Sequence, residues 1–140
     1  MEIKTSSLKI HSNGENDIID LTPQIAESIA KSGLTEGFVN IFVSGSTGAV
    51  TTIEYEDGLL KDFPAALERL APKNNNYEHE KRWHDGNGHS HVRASLVGPS
   101  LTVPFQDSRL LLGTWQQIVF IELDNNSRRR ELVIQIVGAS

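Results

Sequence analysis

Three β-rich runs in the last third of the chain decide its fold class: Ser100-Leu-Thr-Val-Pro-Phe105, Leu110-Leu-Leu-Gly-Thr-Trp-Gln-Gln-Ile-Val-Phe-Ile-Glu-Leu123 and Glu131-Leu-Val-Ile-Gln-Ile-Val137. They are rich in the β-branched and aromatic residues that favour strands. Turn-forming residues at 106–108 and 124–127 separate them. We therefore expect the three runs to be antiparallel neighbours.

The first two thirds of the chain mix strands with helices. Apolar patterning predicts strands at 8–10, 18–21, 37–43 and 50–55. It predicts helices at 22–33 and 58–70, the second kinked or restarted at Pro64. Residues 91–97 fit a strand or a short helix, and the following Gly98 favours the helix. Residues 73–88 are predicted to be a long irregular segment. The pattern indicates one α+β domain over 1–140.

Composition excludes several classes of protein. The 140 residues include no cysteine and carry a net charge of −5, so we expect no disulfide, no thiolate zinc site and no general nucleic-acid binding. No apolar run is long enough to cross a bilayer, and the polar N-terminus is not typical of a signal peptide, which predicts a cytoplasmic location without a membrane partner. Residues 128–130, three consecutive arginines, are expected to form a solvated hairpin turn, or else an anion-binding patch.

A histidine-rich segment, Trp83-His-Asp-Gly-Asn-Gly-His-Ser-His91, indicates a functional site. Imidazole is a common metal ligand and the usual proton carrier near neutral pH. We expect His84, His89 and His91 to bind a divalent metal, zinc in preference to magnesium, with Asp85 as a fourth ligand or as a partner of one imidazole. The competing interpretation is a polar surface loop.

The local structure decides whether these ligands can converge. In a strand, His89 and His91 would point to the same face, whereas in a helix they would lie about 200° apart. His79 and His11 are expected to be ordinary polar residues in a charged segment and at a strand end.

Three further segments could bind or act on a ligand. The small residues at 44–49 would let backbone N–H groups surround a phosphate bound by Ser46, Thr47 and Gly48, although a tight turn explains them equally well. Glu54 interrupts a strand pattern, which fits either a polar cleft or simple exposure. Residues 113–117 could let a substrate approach the backbone or could form a β-bulge with a tryptophan in the core.

Four blocks of sequence, in the same order, resemble the YjbQ-like, or secondary thiamine-phosphate synthase, family over nearly the whole chain. They are GSTGAVTTIE at 45–54, WHDGNGHSH at 83–91, GPSLTVP at 98–104 and LLGTWQQI at 111–118. The Gly-Thr-Trp-Gln block in a β-rich context is fairly specific to that family. The resemblance implies a YjbQ-like β-sandwich of mostly antiparallel strands with two or three helices, assembled as a homotrimer.

The resemblance also implies a function and a set of site residues. The associated activity is a weak synthesis of thiamine phosphate, in which a pyrimidine diphosphate is joined to a thiazole phosphate and pyrophosphate is released. The histidines would line a pocket that holds a metal. Many relatives have a histidine where this chain has Gly45, which could alter the ligand set. The matching positions are Glu54 and Asp85 as catalytic residues, Thr114 and Gln116 as substrate-binding residues, and His84, His89 and His91.

Two functions of different class are compatible with these features. The first is a metal-assisted transferase, in which a divalent ion neutralises the diphosphate while residues 46–48 hold the other phosphate of a small phosphorylated substrate. The alternative is a trimeric metal- and small-ligand-binding accessory protein without efficient catalysis. The absence of an Asp-rich diphosphate motif argues against a fast enzyme. Apolar runs at 110–112 and 118–120 are expected to supply buried surface for the trimer.

Overall fold

The computed structural model describes all 140 residues and contains eight strands and four helices. The strands are β1 (Glu2–His11), β2 (Ile18–Asp20), β3 (Glu36–Val43), β4 (Gly48–Ile53), β5 (Ser100–Gln106), β6 (Arg109–Leu110), β7 (Gln117–Glu122) and β8 (Arg129–Ala139). The helices are α1 (Thr22–Ser32), α2 (Leu59–Leu70), α3 (Glu78–Trp83) and α4 (Gly88–Val97).

The strands form two sheets. The larger sheet has five strands in the order β1-β8-β3-β5-β6, and the smaller has three in the order β2-β7-β4. Every pairing within them is antiparallel. The α+β class and the antiparallel pairing are therefore as predicted, with four helices instead of two or three. The expectation that the three C-terminal runs are neighbours is wrong, because β7 lies in the smaller sheet and β3 lies between β5 and β8.

The main core lies between the two sheets. Alternate residues of β8, namely Leu132, Ile134 and Ile136, are buried against strands of the smaller sheet and against Ile25 and Ile29 of α1. This alternation is the period-2 pattern of a strand with one covered face. The longest strand, β8, pairs with β1 on one edge and with β3 on the other. Its buried residues form the centre of the inner face of the larger sheet.

A second core lies on the other face of the smaller sheet. Leu67 of α2 and Ala94 of α4 pack there on Val119 and Ile121 of β7. Because β7 is covered on both faces, five of its six residues are buried. This explains why its sequence is a continuous apolar run, as is usual for strands buried on two sides. The 118–120 run is therefore interior and supplies no surface for a trimer.

Two predicted segments differ from the structure. The 73–88 segment is not wholly irregular, because it contains α3, whose first turn carries Glu78 and Glu80 and whose last turn carries Lys81 and Arg82. These charges complement the helix dipole. The helix α4 begins at Gly88, three residues earlier than expected. Residues 59–70 form one helix with Pro64 inside it. None of the four helices is long and apolar enough to cross a membrane.

Candidate functional site

The helix α4 directs His89 into the protein interior. Its imidazole is 1% exposed, and its Nε2 lies 2.5 Å from Oε1 of Glu15, in the turn between β1 and β2. One helical turn further on, Arg93 is equally buried. Its Nε donates to the carbonyl oxygen of Ala71 at 2.9 Å, and its Nη2 donates to Glu68 at 2.5 Å. His89 and Arg93 therefore tie α4 to α2 and to the β1–β2 turn.

Glu15 is the acceptor at the centre of this contact. Burial by itself would raise the pKa of the Glu15 carboxyl, but hydrogen bonds from Lys73 and His89 outweigh it and hold the pKa below its ordinary value. The Lys73 ammonium lies 2.8 Å from the second carboxylate oxygen. Glu15 thus remains charged over most of the pH range and stabilises the packing of α4.

His91 lies on the opposite side of α4 and is half-buried near the surface. Its ring centroid is 4.4 Å from that of His79 on α3. Nε2 of His79 is 3.2 Å from Oδ1 of Asp85. With its amide nitrogen facing them, Asn87 lies 3.0 Å from this Nε2 and 2.8 Å from the same carboxylate oxygen. Two imidazoles, a carboxylate and an amide therefore meet at one place, which we call the His79–His91 cluster.

His91 also lines a cleft of about 230 Å³ together with Gly45, Ser46 and Gly48. The turn joining β3 to β4 and the exposed side of α4 form its two walls. None of the N–H groups of residues 44–47 donates a hydrogen bond to another backbone group. The cleft therefore combines unused backbone donors with an imidazole, the arrangement that an oxyanion requires.

Two of the three predicted phosphate-binding residues have structural roles instead. The hydroxyl of Thr47 is buried, donates to Asp124 at 3.0 Å and accepts from Arg130 at 3.0 Å. A Cβ at Gly48 would come within 2.8 Å of the Phe120 ring, so the glycine is needed for core packing. Its φ is not positive, so backbone strain is not the reason. Of the three, only Ser46 has a side chain exposed to a ligand.

The basic run at 128–130 is not the solvated turn that the sequence indicated. Arg130 is 7% exposed and pairs with the fully buried Glu122, to which its Nε donates at 2.9 Å. Arg128 donates to Asp124 at 2.6 Å. Burial raises the pKa of Asp124, but donors that include the Asn125 N–H and Arg128 overcompensate and lower it. Arg129 is the only one of the three that makes no ion pair. Alternation along β8 turns the side chain of Arg130 inward and that of Arg129 towards solvent.

Glu54, Thr114 and Gln116 lie at the other end of β4 from the cleft. Gly48 begins this strand and Ile53 ends it, a span of about 16 Å for five residue steps. Gln116 donates to Thr52 at 3.1 Å and accepts from the N–H of Gly113 at 3.0 Å. Thr114 and Glu54 are exposed. Within one chain, the predicted catalytic and substrate-binding residues thus form two separate groups.

The predicted metal ligands do not converge. His89 is engaged by Glu15 inside the protein, His91 lies on the other side of α4, and His84 is exposed at the C-cap of α3 with a φ of 56°. No group of three or more His, Asp or Glu side chains is arranged to hold an ion. The donors present in the chain therefore do not fit the predicted three-histidine site.

Sequence reasoning missed His79 and Glu15. The charge order of 78–82, acidic first and basic last, is a helix signal and could have placed His79 on an ordered element. No local signal could identify Glu15, because its partner His89 is 74 residues away.

Comparison with known proteins gives a consistent result. The family described as "UPF0047 protein YjbQ-like" matches residues 6–139. A UPF0047 protein of Methanocaldococcus jannaschii is 38% identical over 131 residues, which is 93% of this chain and 91% of the relative. Another, from Methanothermobacter thermautotrophicus, is 36% identical over 138 residues, covering 99% and 94% of the two chains.

Solved structures resemble the fold throughout. A YbjQ-like protein of unknown function from Sulfolobus solfataricus P2 superposes with a TM-score of 0.88 at 29% identity, covering 98% of this chain and 99% of the other. A hypothetical protein from Aeropyrum pernix K1 gives a TM-score of 0.87 at 28% identity, covering 96% and 98%.

Proposed function

The chain belongs to the UPF0047 (YjbQ-like) family, and from this premise we propose that it binds a small phosphorylated substrate in the cleft between the β3–β4 turn and His91. The observation that supports the proposal most is the set of unused N–H groups at 45–47 beside the His79–His91 cluster. Free N–H donors next to an imidazole that contacts a second imidazole are suited to bind a phosphate and to transfer a proton to it.

Each residue of the cleft has a distinct role in this proposal. The N–H groups of the turn and the Ser46 hydroxyl donate to the phosphate oxygens. Asp85 and the amide of Asn87 both lie within hydrogen-bond distance of Nε2 of His79 and fix the orientation of its imidazole. His91, in contact with His79 and facing the cleft, donates a hydrogen bond or a proton to the anion. Thr47, Gly48 and His89 support the site by fixing the turn and the helix.

The reaction that we propose to test is the one implied by the family resemblance. A pyrimidine diphosphate would lose pyrophosphate as its carbon–oxygen bond breaks, and a new bond would form to the ring nitrogen of a thiazole phosphate. The departing pyrophosphate gains negative charge, which the turn donors and His91 would stabilise. The alternative remains an accessory protein that binds the same anions without turnover.

The metal and the trimer stay predictions. The N and O donors closest to one another near the cleft are His79, Asp85 and His91, not the set that the sequence suggested. For the trimer, Leu111 and Trp115 are 56% and 73% exposed, an unusual position for large apolar side chains. A homotrimer would cover them and would allow Glu54, Thr114 and Gln116 of one subunit to approach the cleft of the next.

The test measures pyrophosphate release from the two thiamine precursors by purified protein, with zinc, with magnesium and with EDTA. We expect slow release that falls at least about tenfold in His91→Ala and in His79→Ala, the loss usual for a removed acid–base group. His84→Ala, which removes an exposed imidazole outside the cluster, is the matched control and should retain activity. Binding of both precursors without release would favour the accessory protein, and the absence of both would refute the proposal.

A further inference from the structure

A second cleft, of about 370 Å³, shares no lining residue with the cleft at His91. Its walls are Ser44, at the start of the β3–β4 turn, and the beginning of β8 with its three consecutive arginines, 128–130. β3 ends at Val43, opposite Leu132, so nothing pairs with β8 on that side beyond this point. The cleft is therefore a gap beside β8, beyond the end of β3. Three of the four charged residues that line it are arginines, so its charge is predominantly positive.

The guanidinium of Arg130 is only partly used within the protein. Its hydrogen bonds come from Nε and Nη2, which donate to Glu122 and Thr47. Nη1 takes part in none of them, although the side chain is only 7% exposed. Nη1 is not among the buried polar atoms that lack a partner, so it is accessible from outside and can donate its two free N–H groups to an incoming acceptor.

Gly45 leaves space for that acceptor. A Cβ built at Gly45 would lie 3.1 Å from Nη1 of Arg130, and no other heavy atom outside its chain neighbours lies within 4 Å of it. The neighbouring Ser44 is exposed, and its N–H makes no backbone hydrogen bond. Arg129, which makes no ion pair, lines the same cleft.

We propose that this cleft is a second anion site, which takes a phosphate-sized oxyanion on Arg130 Nη1, with Arg129 and the Ser44 N–H as further donors. Nε and Nη2 hold the guanidinium rigidly against Glu122, so Nη1 is preorganised and loses little entropy on binding. The site goes beyond the proposed function and does not depend on it, because it requires no reaction at the His79–His91 cluster.

The test is a titration of ¹⁵N-labelled protein with inorganic phosphate, followed at the Arg130 side-chain and Ser44 backbone resonances. We expect saturable shifts at both. Gly45 also lines the cleft at His91, so binding is measured at the Arg130 side chain. There Gly45→Asp places a competing carboxylate beside Nη1 and should weaken phosphate binding at least about tenfold, as loss of a charge-assisted hydrogen bond does. Lys61→Gln, which changes the net charge by the same amount on α2 and removes no residue of a cleft lined by these arginines, should change the affinity less than about twofold.

Two more variants and a second anion test the proposal further. Arg129→Gln leaves every ion pair intact and should weaken binding about threefold or more, by removing one exposed cation. His91→Ala should preserve binding here, which separates this site from the cleft at His91. Acetate in place of phosphate should bind more weakly if a tetrahedral oxyanion is preferred. Shifts absent from Arg130 and Ser44, unchanged binding in Gly45→Asp and Arg129→Gln, or equal loss in Lys61→Gln would each overturn the proposal.

Discussion

Replacement of His89 by alanine tests whether this histidine belongs to the fold and not to a ligand site. The imidazole is 1% exposed and its Nε2 is 2.5 Å from the Glu15 carboxylate. A hydrogen bond to a charged group contributes about 1.5–3 kcal/mol to stability. Glu15 retains Lys73 as a partner and its side chain is 17% exposed, so we expect a loss in the lower half of that range.

The cavity adds to this loss. Removing a buried ring that the surroundings cannot fully replace costs about 1 kcal/mol further. We therefore expect His89→Ala to lower the free energy of unfolding by about 2.5–3 kcal/mol, a large fraction of the stability of a domain of this size. Urea unfolding followed by circular dichroism measures this value directly.

His91→Ala is the matched control on the same helix. His91 is half-buried and makes no hydrogen bond through its ring, so we expect its free energy of unfolding to stay within about 0.5 kcal/mol of the parent protein. Equal stabilities of His89→Ala and the parent would refute the structural role of His89. A loss in His91→Ala as large as that in His89→Ala would refute the distinction between the two.

Two further predictions concern stability. Gly48→Val should lower the free energy of unfolding by about 1–3 kcal/mol in a urea titration, because its Cβ would come within 2.8 Å of the Phe120 ring; stability equal to the parent would show that the turn is loosely packed. The pKa of Glu15 is lowered in the folded state from an ordinary value of 4.5, so its contribution is present above that value and is lost as the pH falls through the folded-state pKa. The stability of Glu15→Gln should therefore fall less steeply than that of the parent between about pH 5 and about pH 2, and parallel curves would contradict this.

The sequence predicted most strands well because their information is local, but it did not predict which strands are neighbours, which depends on tertiary packing. Alternation in β8 and the continuous apolar run in β7 follow from burial on one face and on both faces. The helical option for 91–97 was also decided locally, by Gly98. The start of α4 was missed because Gly88 is a poor helix former, and it is accommodated by close packing on Tyr77, whose Cβ lies only 2.6 Å from the place where a side chain would begin.

The site was predicted less well because its contacts join distant parts of the chain. The helical geometry already implied that His89 and His91 would diverge, yet only the fold shows that Glu15 receives one and His79 the other. The same applies to Arg130, whose partner Glu122 lies across the two sheets. Such charge pairs follow from tertiary packing, which no local periodicity encodes.

The most direct test of the site assignment is an NMR titration of the five histidine side chains with inorganic pyrophosphate, with and without zinc. Long-range ¹H–¹⁵N spectra resolve each imidazole. The assignment predicts saturable shifts of His79 and His91, with His84, His89 and His11 unchanged. Shifts of His84 and His89 would contradict it, and joint shifts of His84, His89 and His91 would restore the ligand set that the sequence alone suggested.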